Sequence, residues 1–181
     1  MRIDGKAFSK YTKNFIKPFD PLLHRTFVAV CQHLLDNIQA ATCVYTQSDE
    51  MSILMNYDLG ENSQSWFDGN LQKIVSIGSS LATYKFNKLL PDSPSPALFD
   101  ARAFILPKDE VKNYFIWRYY DATRNSIQGY GRSVLGHKAC LNISNQNIML
   151  VFFVDFQFQN RAFSRFFKKS FNINRCYPKT D

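Results

Sequence analysis

The spacing of apolar and polar positions changes character several times along the chain. Arg2 to Phe8 alternates weakly and is cut short at Gly5, as a strand running into a turn would be. Asp20-Pro21 reads as an N-cap followed by a first-turn proline. Leu23, Phe27, Val30, Leu34, Leu35 and Ile38 then recur at helical spacing, which predicts a helix from about 21 to 38. Thr42 to Thr46 and Met51 to Met55 are short strand-like runs joined through Gln47-Ser48-Asp49-Glu50, a hairpin with an acidic tip. From Trp66 to Phe86, the positions Phe67, Leu71, Ile74, Val75, Leu81 and Ala82 share one face of a second long helix. Pro91-Asp-Ser-Pro-Ser-Pro96 must be loop. Phe99, Ala101, Ala103 and Ile105 alternate as a further strand, and about 109 to 134 is helical with a break near Gly129. Within that helix Trp117 is assigned to the core, as aromatics in helices usually are. Tyr119 and Tyr120 are candidates to stack on bases.

The order is β-α-β-β-α-β, an α+β class in which a four-stranded antiparallel sheet is covered on one face by two helices. The other face is expected to be open. The first strand and the hairpin strands lie side by side in that topology, so Asp4 can meet Asp49 and Glu50 in space.

Composition narrows the partners. The 181 residues are 45% hydrophobic and 20% charged, enough for one packed domain and too apolar for wholesale disorder. A net charge of +7 favours a polyanion such as nucleic acid without requiring one. No run of about 18 apolar residues exists for a membrane span, and the first residues do not form a signal segment. Cys31, Cys43, Cys140 and Cys176 stand too far apart for a CxxC pair, so a reducing, cytoplasmic setting is expected. His24, His33 and His137 form no zinc spacing, and no GxxxxGK is present.

Three acidic groups gathered on a sheet repel unless cations sit between them, and oxygen ligands of that kind suit Mg²⁺. Two such ions about 4 Å apart can serve both the entering and the leaving oxygen of a phosphoryl transfer. The plain alternative is a solvated hairpin tip and an ordinary Asp-Gly turn. Gly5, which would let a ligand approach the backbone, together with Lys6 and Lys73, weighs for the site.

Several blocks resemble the tRNA(His) guanylyltransferase superfamily of 3′-to-5′ nucleotide-adding polymerases. They are Arg2-Ile-Asp-Gly-Lys-Ala-Phe8, Lys17-Pro-Phe-Asp20, Gln47-Ser-Asp-Glu50, Trp66-Phe67 with Gln72-Lys73, Ala82-Thr83 with Phe86-Asn87, Phe99-Asp-Ala-Arg102, Trp117-Arg118, Asp121-Ala-Thr-Arg-Asn-Ser126 and His137-Lys138. The resemblance implies a polymerase palm-like fold and two Mg²⁺ ions held by Asp4 and Asp49 with help from the Gly5 carbonyl, Glu50 supporting the acidic cluster. It implies that Asp4, Gly5, Lys6, Ala7, Phe8, Ser9, Ser48 and Asp49 line the nucleotide and that Lys73 holds a triphosphate. Arg102, Arg118, Arg124, Asn125, Ser126, Arg132 and Lys138 are candidate tRNA contacts, each with the alternative of an ordinary surface or ion-paired residue. The expected substrates are ATP, GTP or other nucleoside triphosphates and tRNA. A homo-oligomer, a tetramer by resemblance, is expected.

Thr123-Arg-Asn-Ser-Ile-Gln128 replaces the His-Ile-Asn-Asn-Leu-Tyr-Asn of the eukaryotic branch, so the resemblance is to the bacterial, archaeal and phage branch. That branch implies template-dependent repair of tRNA 5′ ends. On this reading residues 1–106 form the palm-like core with a shortened first strand, 107–148 a helical extension contacting tRNA or nucleotide, and 149–181 a divergent basic and aromatic tail. Relatives usually carry further chain before the first motif, and Ser9 stands where they commonly have His. The alternative reading is a truncated or frameshifted member that binds RNA without turnover.

Overall fold

The computed structural model describes residues 1–56, 64–136, 138–141 and 143–149. In chain order they form β1 (Arg2–Gly5), a short α1 (Phe8–Tyr11), a 3-10 turn (Thr12–Asn14), α2 (Pro21–Asn37), β2 (Ala41–Gln47), β3 (Glu50–Met55), a second 3-10 turn (Trp66–Gly69), α3 (Leu71–Leu89), β4 (Phe99–Arg102) and α4 (Lys108–Leu135). Two compact units divide at Ala122 and Thr123.

Local chemistry sets the ends of these elements. The Asp20 carboxylate accepts from the Leu22 and Leu23 N–H groups at 2.8 and 3.1 Å, capping α2 as its Asp-Pro start predicts. The α3 start differs from expectation. Phe67 and Asp68 adopt left-handed φ values of 52° and 54°, which no helix continues through, so α3 begins only after Asn70. The Asn70 side chain caps the Lys73 N–H at 3.1 Å. Phe67 and Leu71 are consequently exposed, and the buried stripe is Ile74, Gly78, Ala82 and Phe86, spaced by four. Helix α4 runs unbroken through Gly129 and stops before Gly136, whose φ of 81° suits a residue without Cβ.

The sheet is antiparallel in the order β2-β3-β1-β4. Ile3, Met51, Ile53 and Phe99 point to one face and form a core with Phe27, Val30 and Leu34 of α2 and Ile74, Ala82 and Phe86 of α3. Phe86 is fully buried, its ring 5.1 Å from Phe27, 5.3 Å from Phe99 and 5.5 Å from Phe8, centroid to centroid. The strand expected over 99–105 ends at Arg102, because β1 offers only four residues to pair with it, and Ile105 is 97% exposed.

The opposite face is not open as the topology alone suggests. The start of α4 lies against it. Tyr114 Oη is 2.8 Å from Ser52 Oγ, the Phe115 ring is 6.2 Å from Tyr45, and Arg118 reaches Glu50. Ser52 is only 1% exposed as a result. Trp117, expected in the core, is instead 54% exposed and lies beneath the Arg118 guanidinium at 4.4 Å. The side of α4 that meets the sheet carries Tyr114 and Arg118, spaced by four, and Trp117 falls outside that stripe.

In the second unit the later half of α4 presents Gly131 to Ile148. A Cβ there would sit 2.7 Å from Ile148 Cγ2, so close approach demands glycine. Cys140 and Ile148 are buried beside it. The phenylalanine-rich run after Val151 and His137 lie outside the described residues. Among the described residues no helix is long and apolar enough to cross a membrane.

Phe86→Ala is expected to lower unfolding free energy by about 3–5 kcal/mol, since it empties the centre of the aromatic cluster. Ile105→Ser should change it by less than about 0.5 kcal/mol. Urea denaturation of the two variants checks this.

Candidate active site

The site is assembled by strand register. β1 is a central strand, and Asp4 stands directly opposite Glu50 of β3 on one side and Asp100 of β4 on the other. The next residue, Gly5, donates its N–H to the Asp49 carbonyl at 3.1 Å, which brings the hairpin tip to the end of β1. The tip is a two-residue turn in which Ser48 takes φ 51° and donates to Asp49 Oδ1 at 3.0 Å. Asp4 and Asp49 are thus brought together, as the topology predicted.

Burial raises the Asp49 pKa above its ordinary value, and the nearby Asp4 charge raises it further, against the hydrogen bond from Ser48. The two flanking acids are compensated. Arg118 holds Glu50, with Nε 2.8 Å from Oε1 and Nη2 donating to Oε2 at 2.9 Å, and Arg102 lies 3.6 Å from Asp100. Among the described residues neither Asp4 nor Asp49 has a cationic partner. Two adjacent carboxylates without a cationic partner, the ionisation of Asp49 disfavoured by burial, form an oxygen donor set that fits Mg²⁺. No three His, Cys, Asp or Glu side chains among the described residues form a ready-made cage.

Other predicted residues fall in different places. Lys6, Ala7 and Ser9 are exposed after the strand, Ala7 with a left-handed φ of 54°. The Phe8 side chain is instead part of the core, 5% exposed and packed among Tyr11, Phe27, Phe86 and Phe99. Its ring also explains Gly5, where a Cβ would come within 2.2 Å of Phe8 Cδ2. The Cβ position of that glycine is therefore filled by the protein's own core. Lys73 is exposed in the first turn of α3 and makes no ion pair among the described residues. Arg118 is 5% exposed and paired with both Glu50 and Asp121, which removes it from the candidate phosphate contacts. Arg124, Asn125, Ser126, Arg132 and Lys138 are exposed in the second unit.

Sequence reasoning missed Asp100 as the second neighbour of Asp4, and Tyr114 as the partner of Ser52. Asp100 alternates with Phe99 and Ala101 and so was legible as facing away from the core. Its position opposite Asp4 needed the register.

The family model described as tRNAHis guanylyltransferase matches residues 1–107. A solved bacterial tRNA(His) guanylyltransferase-like protein in complex with ATP is 46% identical, with a TM-score of 0.79 over 81% of this chain and 66% of its own. A solved protein of the same description in complex with GTP is 50% identical, with a TM-score of 0.71 over 72% and 64%. An uncharacterized protein of Acanthamoeba polyphaga mimivirus is 28% identical, across 75% of this chain and 56% of its length. The chain spans about half the length of the curated relatives it matches.

The raised Asp49 pKa has a sign that stability can read. The folded state holds this proton more tightly than the unfolded chain, whose value is near 3.8. That contribution is complete below 3.8 and is lost as pH rises through the folded value. Asp49→Asn cannot lose it. In the absence of divalent ions its Tm should match wild type near about pH 4 and exceed it by about pH 7. Thermal melts across that range check this; a constant difference would contradict it.

Proposed function

We propose, because the chain belongs to the tRNAHis guanylyltransferase family, that it is a nucleotidyltransferase adding nucleotides in the 3′-to-5′ direction to the 5′ end of tRNA. The observation that carries this reading is the uncompensated pair of Asp4 and Asp49, set at the end of a central strand while Glu50 and Asp100 each have an arginine. The relatives solved with ATP and with GTP support nucleoside triphosphates as substrates.

In this reading the sheet is a polymerase palm, and Asp4, Asp49 and the Gly5 carbonyl hold two Mg²⁺. Bound there, the ions supply charge neutralisation to the entering and leaving oxygens of phosphoryl transfer. The exposed Lys6, Ala7, Ser9 and Ser48 line the incoming nucleotide, and Lys73 offers its free ammonium to a triphosphate. Phe8 contributes by packing the turn beneath them. A 5′ end already activated, as an adenylylated monophosphate or as its own triphosphate, is held for attack by the 3′-hydroxyl of an incoming nucleotide; the new P–O bond forms as AMP or pyrophosphate leaves, and the hydroxyl proton passes to solvent. Positioning and charge carry most of such a step. Arg102, Arg124, Asn125, Ser126, Arg132 and Lys138 are the residues proposed to bind the RNA backbone, a sequence-independent attraction.

Templated repair is the finer proposal. Base pairing to the opposite acceptor strand can choose the nucleotide without protein contacts to the base. Helix α4 occupies the middle of the sheet face, so the paired end is proposed to approach at the turn end of β1, where Lys6, Ala7, Ser9 and Ser48 are exposed.

Asp49→Ala should reduce addition to a 5′-truncated tRNA by about a thousandfold while leaving RNA affinity nearly unchanged. Extension of labelled RNA beside a filter-binding assay measures both. Two truncated tRNAs differing only in the opposing base test templating: the one opposite C should receive G and the one opposite A should receive U. Guanosine added equally to both, and only to histidine tRNA, would sink the repair assignment. RNA binding without any addition would favour the member that binds but does not turn over.

A further inference from the structure

We infer that Arg118 is a positioning residue that neutralises Glu50 and keeps it out of the metal-ligand set, so that Asp4 and Asp49 alone face the divalent cation. The inference rests on the metal reading above and deepens it. Glu50 is adjacent to Asp49 in the chain and directly opposite Asp4 in the sheet, so it is as well placed by register as either. Its carboxylate is nevertheless engaged at both oxygens, by Arg118 Nε at 2.8 Å and Nη2 at 2.9 Å, with Arg2 Nε a further 4.0 Å away.

The guanidinium itself is fixed from several sides. Its Nη2 also donates to Asp121 Oδ2 at 2.9 Å, it lies over the Trp117 ring at 4.4 Å, and the residue is 5% exposed. One turn earlier on the same helix face, Tyr114 bonds Ser52, which pins α4 to β3 two residues beyond Glu50. A carboxylate held this way has one lone pair on each oxygen taken by the guanidinium and its orientation fixed by that fork. Its charge is likewise already compensated, so the site presents two negative charges in place of three.

The test uses the full chain, Mg²⁺ alone as the probe and the Mg²⁺-dependent rise in Tm near neutral pH as the readout. Glu50→Gln removes one of the two carboxylates paired with Arg118, leaving Asp121, and should raise the half-saturating Mg²⁺ concentration by on the order of fivefold. Arg118→Met exposes the Glu50 charge and should tighten it by a similar factor. The double variant should return to within about twofold of wild type, because the two charges leave together. Arg118→Lys keeps the charge and should keep the wild-type value. If Arg118→Met does not fold, Glu50→Gln, the double variant and Arg118→Lys still decide the matter.

A double variant as weak as Glu50→Gln would make Glu50 a direct ligand and overturn the inference. Lower Tm without any change in Mg²⁺ dependence would reduce Arg118 to a structural brace and overturn it as well. No stabilisation of wild type by Mg²⁺ would instead sink the metal reading, and the inference with it.

Discussion

Like charges placed directly across antiparallel strands destabilise a sheet, and β1 carries that arrangement on both sides, with Asp4 opposite Glu50 and opposite Asp100. The rest of the site is organised around this conflict. Arg118 answers Glu50 from α4, and Arg102 answers Asp100 from two residues along the same strand. What remains uncompensated is the pair Asp4 and Asp49, at the one end of the strand where the chain turns and solvent can enter. Strain of this kind persists in a small domain only where the surrounding packing holds the strand in register.

That packing is the aromatic core beneath. Phe8 follows the strand by three residues and returns its ring under Gly5, among Phe27, Phe86 and Phe99. The turn that exposes Lys6 and Ala7 is therefore fastened at its next residue to helices α2 and α3. The left-handed Ala7 and Ser48 sit on the two turns that meet at the site, and each costs energy that an L-residue does not ordinarily spend outside a constrained loop. Core packing and site geometry are in this sense one structure: the side of Gly5 where a Cβ would stand is filled by the Phe8 ring.

The element order, the capped α2, the hairpin and the meeting of Asp4 with Asp49 were legible because each follows from period and local chemistry. Asp20-Pro21 announces its helix, and a β-α-β-β-α-β order leaves few ways to arrange four antiparallel strands. The misreadings share a physical cause. Phe67, Leu71 and Trp117 are large and apolar; periodicity assigned the first two to a buried face and the usual burial of helical aromatics assigned the third, yet burial depends on what lies opposite. Backbone conformation at Phe67 and Asp68 ended one helical face early, and the Tyr114–Arg118 stripe of α4 turned Trp117 outward. Arg118 read as a candidate tRNA contact, with a surface or ion-paired role as the alternative, because its partner Glu50 lies 68 residues away in the chain. The family resemblance named Glu50 as part of the acidic cluster, and only coordinates reveal which acids are compensated.

The Glu50–Arg118 pair is poorly explained as a device for stability. Burying two charges costs desolvation that their attraction only partly returns, and apolar residues of similar volume often hold such a contact as well or better. Tyr114 with Ser52, and Phe115 with Tyr45, already fasten this part of α4 to the sheet by a hydrogen bond and ring packing. What an apolar replacement at position 118 cannot do is remove a negative charge from beside Asp4 and Asp49. The buried ion pair is therefore better understood as setting the charge of the site than as holding the helix. The same pair accounts for the loss of the open face, because compensating Glu50 from the solvent side requires something to lie across it.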